Sequence, residues 1–260
     1  MEIIVLPTPA EVGELAARKV AQTIARKPAA VIGLATGSSP LAIYAELGAL
    51  VRGGHLDASQ VRGFALDEYV GIPEDHPQSY ASVIKREVVE PLGLAPGSVL
   101  VPDGRAHDLE AACVQYEAAM RDAGGVDIQI LGIGANGHIG FNEPTSSFAS
   151  RTRIKTLAPQ TRADNARFFD NPDEVPMHCV TQGLGTIMEA RELLLVAQGG
   201  RKAAAIAAAA EGPVSSMCPG SILQFHPYAT VIIDEVAAGQ LTLTDYYRHT
   251  YANKPTWQRF

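Results

Sequence analysis

Short apolar runs alternate with longer stretches of helical spacing from the first residues onward. Residues 2–6 form a β-branched run that predicts a strand, and residues 9–26 place Val12, Leu15, Ala16, Val20 and Ile24 at helical spacing. Residues 30–35 (AVIGLA) predict a second strand, broken by Thr36-Gly37-Ser38-Ser39-Pro40 before a helix through Leu41, Tyr44, Leu47 and Val51. Pro40 suits the first turn of that helix and Ser39 suits its N-cap. Residues 61–66 predict a third strand with Asp67-Glu68-Tyr69 at its carboxyl end, 78–89 a helix, and 99–101 a short strand. Residues 108–121 predict a helix with Leu109, Cys113, Tyr116 and Met120 on one face, followed by a central strand at Ile128, Ile130 and Leu131. From 146 to about 185 the periodicity weakens in a stretch rich in Arg, Asp and Pro. Residues 193–197 (LLLVA) and 230–234 (TVIID) predict the last strands, separated by an alanine-dominated helix at 201–210. The tail after Thr242 is polar and aromatic.

Strands alternating with helices predict an α/β fold: a Rossmann-like, mostly parallel sheet with helices on both faces and right-handed crossovers. No linker-like shift in composition divides the chain, so one domain over residues 1–260 is expected, and 47% apolar residues suffice for its core. The formal charge of −7 disfavours nucleic acid and anionic membranes as partners, and an anionic substrate would need a local basic pocket. The start MEIIVLPTPAEVGEL has no basic segment followed by a long apolar core, and no apolar run reaches the roughly eighteen residues of a membrane span, which predicts a cytoplasmic protein. Three widely spaced cysteines without CxxC fit reduced thiols, and seven histidines without paired-ligand spacing predict no metal site.

The candidate chemistry concentrates in residues 127–144, DIQILGIGANGHIGFNEP. After the apolar run come Gly132, Gly134, Gly137 and Gly140, interleaved with Asn136, His138, Asn142 and Glu143. A titratable His and a carboxylate at the carboxyl end of a strand stand where α/β sheets bind ligands. The 36–40 stretch is a second such place, because a polar glycine loop running into a helix N-terminus directs backbone N–H groups at an anion. At 199–203 (GGRKA), Arg201 and Lys202 sit at a helix start, where each cation is unfavourable by about 0.3–1 kcal/mol unless an anion compensates.

The block GxGxxGHIxFNEP, Gly132 to Pro144 here, resembles the signature of the glucosamine-6-phosphate deaminases, also called isomerases. ATGSSP at 35–40, LDEYVG at 66–71, SRTRIKT at 150–156, NARFFDN at 165–171 and GGRKA at 199–203 resemble family segments in the same order, so the likeness covers nearly the whole chain. It implies isomerisation with deamination of a phosphorylated amino sugar, D-glucosamine 6-phosphate, to D-fructose 6-phosphate and ammonia, without a cofactor. Residue by residue it implies Asp67 as the base at C2, His138 as the group that opens the ring, and Glu143 as the carboxylate that orients the imidazole. Many members have Asp where this chain has Asn136; Asn holds the His by a hydrogen bond without supplying charge, which bears on pH dependence. The phosphate would be held by Thr36, Gly37, Ser38 and Ser39, with Gly134 nearby, together with Lys202 and Arg167. The latter comes from a lid spanning about 146–187. The resemblance leaves room for a homo-oligomer, with an effector phosphate at Ser146, Ser147, Arg153 and Lys155. Two other readings compete. A hydrolase of the 6-phosphogluconolactonase type would carry a different tail after the His, whereas IGFNEP retains Glu143. A non-catalytic sugar-phosphate sensor would bind without turnover.

Overall fold

A computed structural model describes residues 1–260. Its strands in chain order are β1 (Glu2–Leu6), β2 (Val31–Leu34), β3 (Arg62–Ala65), β4 (Asp67–Tyr69), β5 (Val99–Leu100), β6 (Ile128–Leu131), β7 (Arg153–Thr156), β8 (His178–Thr181), β9 (Glu192–Ala197) and β10 (Ala229–Asp234). Seven of them form one sheet in the order β1-β10-β9-β6-β2-β3-β5, and every pairing in it is parallel.

Both faces of this sheet are buried, because its strands are apolar at consecutive positions. Ile130 pairs with Leu194 on one face, and Leu131 with Leu195 on the other. On the first face Ile32, Leu34 and Ile130 meet Val20, Ile24, Tyr44 and Leu47 of helices Pro9–Arg26 and Ser38–Arg52. On the second face Leu195 and Val231 meet Ile206 and Ala209 of helix Ala203–Ala210, with Leu223 beside them. The polar, aromatic tail forms a helix, Thr244–Ala252, that packs against β1.

The structure moves several expected boundaries. The second helix begins at Ser38 with Gly37 as its N-cap, so Ser39 lies inside the first turn and is not the cap. The cause is Gly37 itself: its φ of 98° reverses the chain there, a conformation that costs glycine little. The helix expected at 78–89 starts at Tyr80, capped by Ser79, and passes through a π turn at Lys85–Val89 before ending at Leu92. The helix expected to begin at Arg201 opens as a 3-10 turn over Gly200–Lys202.

The 146–187 stretch contains regular structure of its own. β7 and β8 pair antiparallel with each other, and β8 pairs with β4, giving a small sheet in the order β4-β8-β7. Helix Pro159–Asn165 and two short 3-10 turns fill the connection between β7 and β8. A separate apolar cluster of Tyr69, Ile72, Phe141, Leu157, Phe169, Val175 and Cys179 lies beneath it. Asp67 therefore begins a strand of the second sheet, two residues beyond the end of β3. No helix is long and apolar enough to cross a membrane.

Candidate active site

The chain leaves β2 and β6, which are neighbours, on the same edge of the large sheet. There a cavity of about 220 Å³ opens, and segments far apart in sequence reach it. Thr36, Gly37, Ser38 and Ser39 follow β2, Gly134 and His138 follow β6, Asp67 and Tyr69 belong to β4, Arg167 comes from the 146–187 stretch, and Lys202 follows β9. All of the residues expected to hold phosphate line this one cavity.

At its cationic end the first turn of helix Ser38–Arg52 has no side-chain cap bond, so its leading N–H groups are free for an anion. Lys202 is placed by the turn after β9, where the Gly199 N–H donates to Asp234 Oδ1 at 3.0 Å. Burial lowers the pKa of Lys202; Asp164 opposes this, while Arg167 and Arg201 add to it. Half-buried Lys202 and exposed Arg167, beside free helix N–H groups, form an electropositive end suited to a phosphate dianion.

His138 occupies the wall between the two ends. Its imidazole lies where a Cβ on Gly134 would be, 2.1 Å from Cε1, so residue 134 must be glycine for the ring to fit. The Gly134 N–H donates to the His138 carbonyl at 2.9 Å, and its lack of a side chain makes room for the imidazole. His138 Nδ1 lies 2.7 Å from Asn136 Oδ1, and Asn136 Nδ2 donates to Glu143 Oε2 at 2.7 Å. A carboxylate accepts and does not donate, so the Asn136 amide must face Glu143 and its carbonyl must face the ring. Nδ1 therefore carries the proton, and Nε2 keeps its lone pair. Glu143 acts on the ring through Asn136, since its own Oε2 is 3.7 Å from Nδ1. Glu143 is held in turn by the Ala158 N–H at 3.2 Å and the Thr161 hydroxyl at 2.5 Å. Burial lowers the pKa of His138 below its ordinary value, Glu143 pulls it back, and Lys202 adds to the lowering. The imidazole is thus neutral near pH 7, with Nε2 as a base.

Asp67 is 5% exposed, and burial raises its pKa to about 8, assisted by the charge of Glu68 and opposed by a hydrogen bond from the Thr181 hydroxyl. Its neighbour Glu68 is turned away, accepting from the backbone N–H groups of Tyr69, Tyr80 and Ala81 at 2.8, 3.0 and 2.9 Å. The DEY triplet therefore divides its labour. Asp67 faces the cavity, Glu68 anchors the next helix, and the Tyr69 ring packs 5.9 Å from Phe141.

The residues expected to hold an effector do not line the cavity. Ser146 is buried, Ser147 accepts from the Ala149 N–H at 3.2 Å, and Arg153 Nη1 donates to Asn142 Oδ1 at 2.9 Å. The carbonyl of Lys155 accepts from the Cys179 thiol at 3.7 Å. Conversely, Gln78, Tyr80 and Arg86 line the cavity although no local pattern singled them out, and Asn165 joins them from the NARFFDN segment. The π turn carrying Arg86 is a backbone signal that only the folded helix displays.

Comparison with known proteins shows what the whole chain resembles. The family model for glucosamine-6-phosphate isomerases/6-phosphogluconolactonase matches residues 8–232. The chain is 58% identical over 259 residues to a glucosamine-6-phosphate deaminase of Streptomyces avermitilis, covering 99% of each chain. It is 59% identical to one of Mycolicibacterium smegmatis, again over 99% of each. Among solved structures, a monomeric glucosamine-6-phosphate deaminase superposes with a TM-score of 0.90 at 42% identity, covering 92% of this chain and 100% of that one. A 6-phosphogluconolactonase from Trypanosoma cruzi gives 0.73 at 21% identity over 93% and 97%, a likeness of fold.

Proposed function

The chain belongs to the family of glucosamine-6-phosphate isomerases and 6-phosphogluconolactonases, and we infer that within it this protein is a glucosamine-6-phosphate deaminase. It converts D-glucosamine 6-phosphate to D-fructose 6-phosphate and ammonia. The observation that carries the residue assignments is the meeting, in one cavity, of an electropositive end with a buried carboxyl and a neutral imidazole.

The phosphate binds the first turn of helix Ser38–Arg52 with Lys202 and Arg167, which sets the sugar's other end toward Asp67 and His138. Nε2 of His138 takes the anomeric hydroxyl proton and returns one to the ring oxygen, opening the ring. Asp67 then removes the proton from C2 and delivers it to C1, while the aldehyde oxygen gains a proton given up by the ammonium group, leaving a C2 iminium that water converts to the ketone with release of ammonia. Burial makes Asp67 a strong base, and the substrate's ammonium group brings a positive charge that favours its ionised form. The 146–187 stretch reads as a lid, since it contributes Asn165, Arg167 and Phe168 to the cavity wall and Thr161 to the support of Glu143.

The deciding measurement is purified protein with glucosamine 6-phosphate, followed for ammonia and fructose 6-phosphate in equal amounts. Hydrolysis of 6-phosphogluconolactone without ammonia release from the amino sugar would replace this reading with the lactonase one. Binding without turnover of either would leave a sensor.

A further inference from the structure

The floor beneath Asp67 contains a hydroxyl whose hydrogen bonds can be counted. Thr181, fully buried at 0% exposure, lies in β8 directly across from Asp67 in the β4–β8 pairing. Its Oγ1 accepts from the N–H of Phe141 at 3.0 Å, just past the glycine-rich turn that carries His138. One hydroxyl proton remains, with two acceptors in reach. The Gln182 carbonyl is 3.4 Å away, long for such a bond, and already accepts from the Asn142 amide at 2.8 Å. The Asp67 carboxylate, which shares the space beside Gly140 with this hydroxyl, is the other, and an ionised oxygen is the stronger acceptor.

We propose that Thr181 is a positioning residue for the deamination: its hydroxyl, anchored by the Phe141 N–H, holds the ionised Asp67 carboxylate toward C2 and turns to the Gln182 carbonyl once Asp67 has taken the proton. The proposal rests on the reading of Asp67 as the C2 base. Through Phe141 the same hydroxyl ties the carboxylate of the small sheet to the loop of the large sheet that carries the imidazole. Other groups face Asp67 as well. Glu68 and Tyr69 lie on its own strand, Cys179 on β8, Tyr80 on the helix that follows β4, Tyr116 on helix Leu109–Asp122, and His138 across the cavity. Of these surroundings, Thr181 is the hydroxyl set directly across the strand pair from the carboxylate.

Thr181→Val and Thr181→Ala remove the hydroxyl with different steric demands, and Thr181→Ser keeps it. Either of the first two that folds provides the reading. The measurements are kcat and KM for glucosamine 6-phosphate across pH, and exchange of the C2 hydrogen with solvent. Loss of the hydroxyl should lower kcat by about 10- to 100-fold through misplacement of the base, with KM changed far less. The acidic limb of kcat/KM should rise by about one pH unit as the carboxylate loses its donor. C2 exchange should slow in proportion to kcat, and Thr181→Ser should restore both the rate and the limb. A limb that stays at the wild-type position in Val or Ala, or a rate loss that Ser does not restore, would overturn the proposal. Failure of the underlying reading looks different: Asp67→Asn would then exchange C2 hydrogen at the wild-type rate. An inactive, exchange-silent Asp67→Asn beside an unshifted Thr181→Val overturns the role of Thr181 alone.

Discussion

Asp67 and Glu117 are carboxylic acids of nearly equal exposure, 5% and 7%, in two corners of the molecule that drive them in opposite directions. At Glu117, burial raises the pKa, but hydrogen bonds from Thr152, Thr186 and Arg151 outweigh it and the carboxyl ends below its ordinary value. The Thr152 N–H and hydroxyl and the Thr186 hydroxyl all reach Oε1, at 2.8, 2.7 and 2.5 Å. Arg151 bonds the other oxygen and also Glu189. This corner ties helix Leu109–Asp122 to the residues just before β7 and to the short helix Leu184–Met188. At Asp67 burial acts with a single hydroxyl against it, and the pKa climbs to about 8. Burial alone therefore does not decide what a carboxylate does; the number of donors brought to it does. One corner is built to stay ionised and hold elements together, the other to exchange a proton.

Four measurements can break or sharpen that contrast. The largest effect is expected from Asp67→Asn, which should lower kcat by about 10²- to 10⁴-fold, the range for losing a positioned acid–base group. The same variant should be more stable near pH 7, by about 1–2 kcal/mol. The sign follows from proton binding. The folded chain holds the Asp67 proton more tightly than the unfolded one, so its contribution is full at low pH and is lost as pH rises from the ordinary carboxylate range toward about 8. Asn removes that loss. Activity assays and denaturant melts on one preparation test both halves, and a destabilised Asp67→Asn would break the comparison.

Glu117→Ala should do the reverse, lowering stability by about 2–3 kcal/mol because it leaves two buried hydroxyls without their acceptor and Arg151 with Glu189 alone, while kcat stays close to wild type. In the wild type, the stabilisation from Glu117 should be present above the ordinary glutamate range and fade as pH falls through the depressed value. Urea unfolding at pH 7 and pH 3.5 measures it. A large loss of kcat without a loss of stability would show that the two corners are not separate in function.

Lys202→Ala should weaken binding of fructose 6-phosphate by about 1.5–3 kcal/mol, the worth of one hydrogen bond to a charged group, as read by titration calorimetry. An unchanged affinity would remove Lys202 from the phosphate site. The smallest effect is expected from Asn136→Asp, which replaces the amide between the ring and Glu143 with a second carboxylate. That charge favours the imidazolium, so the titration of His138 followed by NMR should move up by about one unit. A titration that stays put would show the bridge to be a matter of orientation alone.

The large sheet was legible because each of its strands is an apolar run bounded by glycine or polar loops, and both faces of such runs need helices. The small sheet was not. β7 alternates Arg153 and Lys155 with Ile154 and Thr156 and buries neither face fully, and β4 is three residues long and begins with two acids. Nothing local announces that Asp67 will pair with Thr181, more than a hundred residues away. In the candidate site, Asp67, His138 and the 36–39 loop were legible from motifs that resemble a family. The direction of the Asn136 amide was not, because it depends on where Glu143 lands after the chain has turned at Gly137 and Gly140. Thr181 and Arg86 carry no motif, and their positions follow from register and from a π turn.

The strand order has a consequence for how the chain is made. β1 leaves the ribosome before the other nine strands, and its pairing partner in the sheet is β10, with Glu2 set against Thr230 and Leu6 against Asp234. At a synthesis rate of about 5–20 residues per second, the first strand waits on the order of ten to fifty seconds for the neighbour that completes it. During that interval Ile3, Ile4 and Val5 have only helix Pro9–Arg26 to lie against, and the sheet must be assembled from its middle, β2 beside β3, outward. The last strand to be translated thus closes the edge begun by the first, and nascent chains halted before residue 229 should present an apolar edge to chaperones that full-length chains conceal.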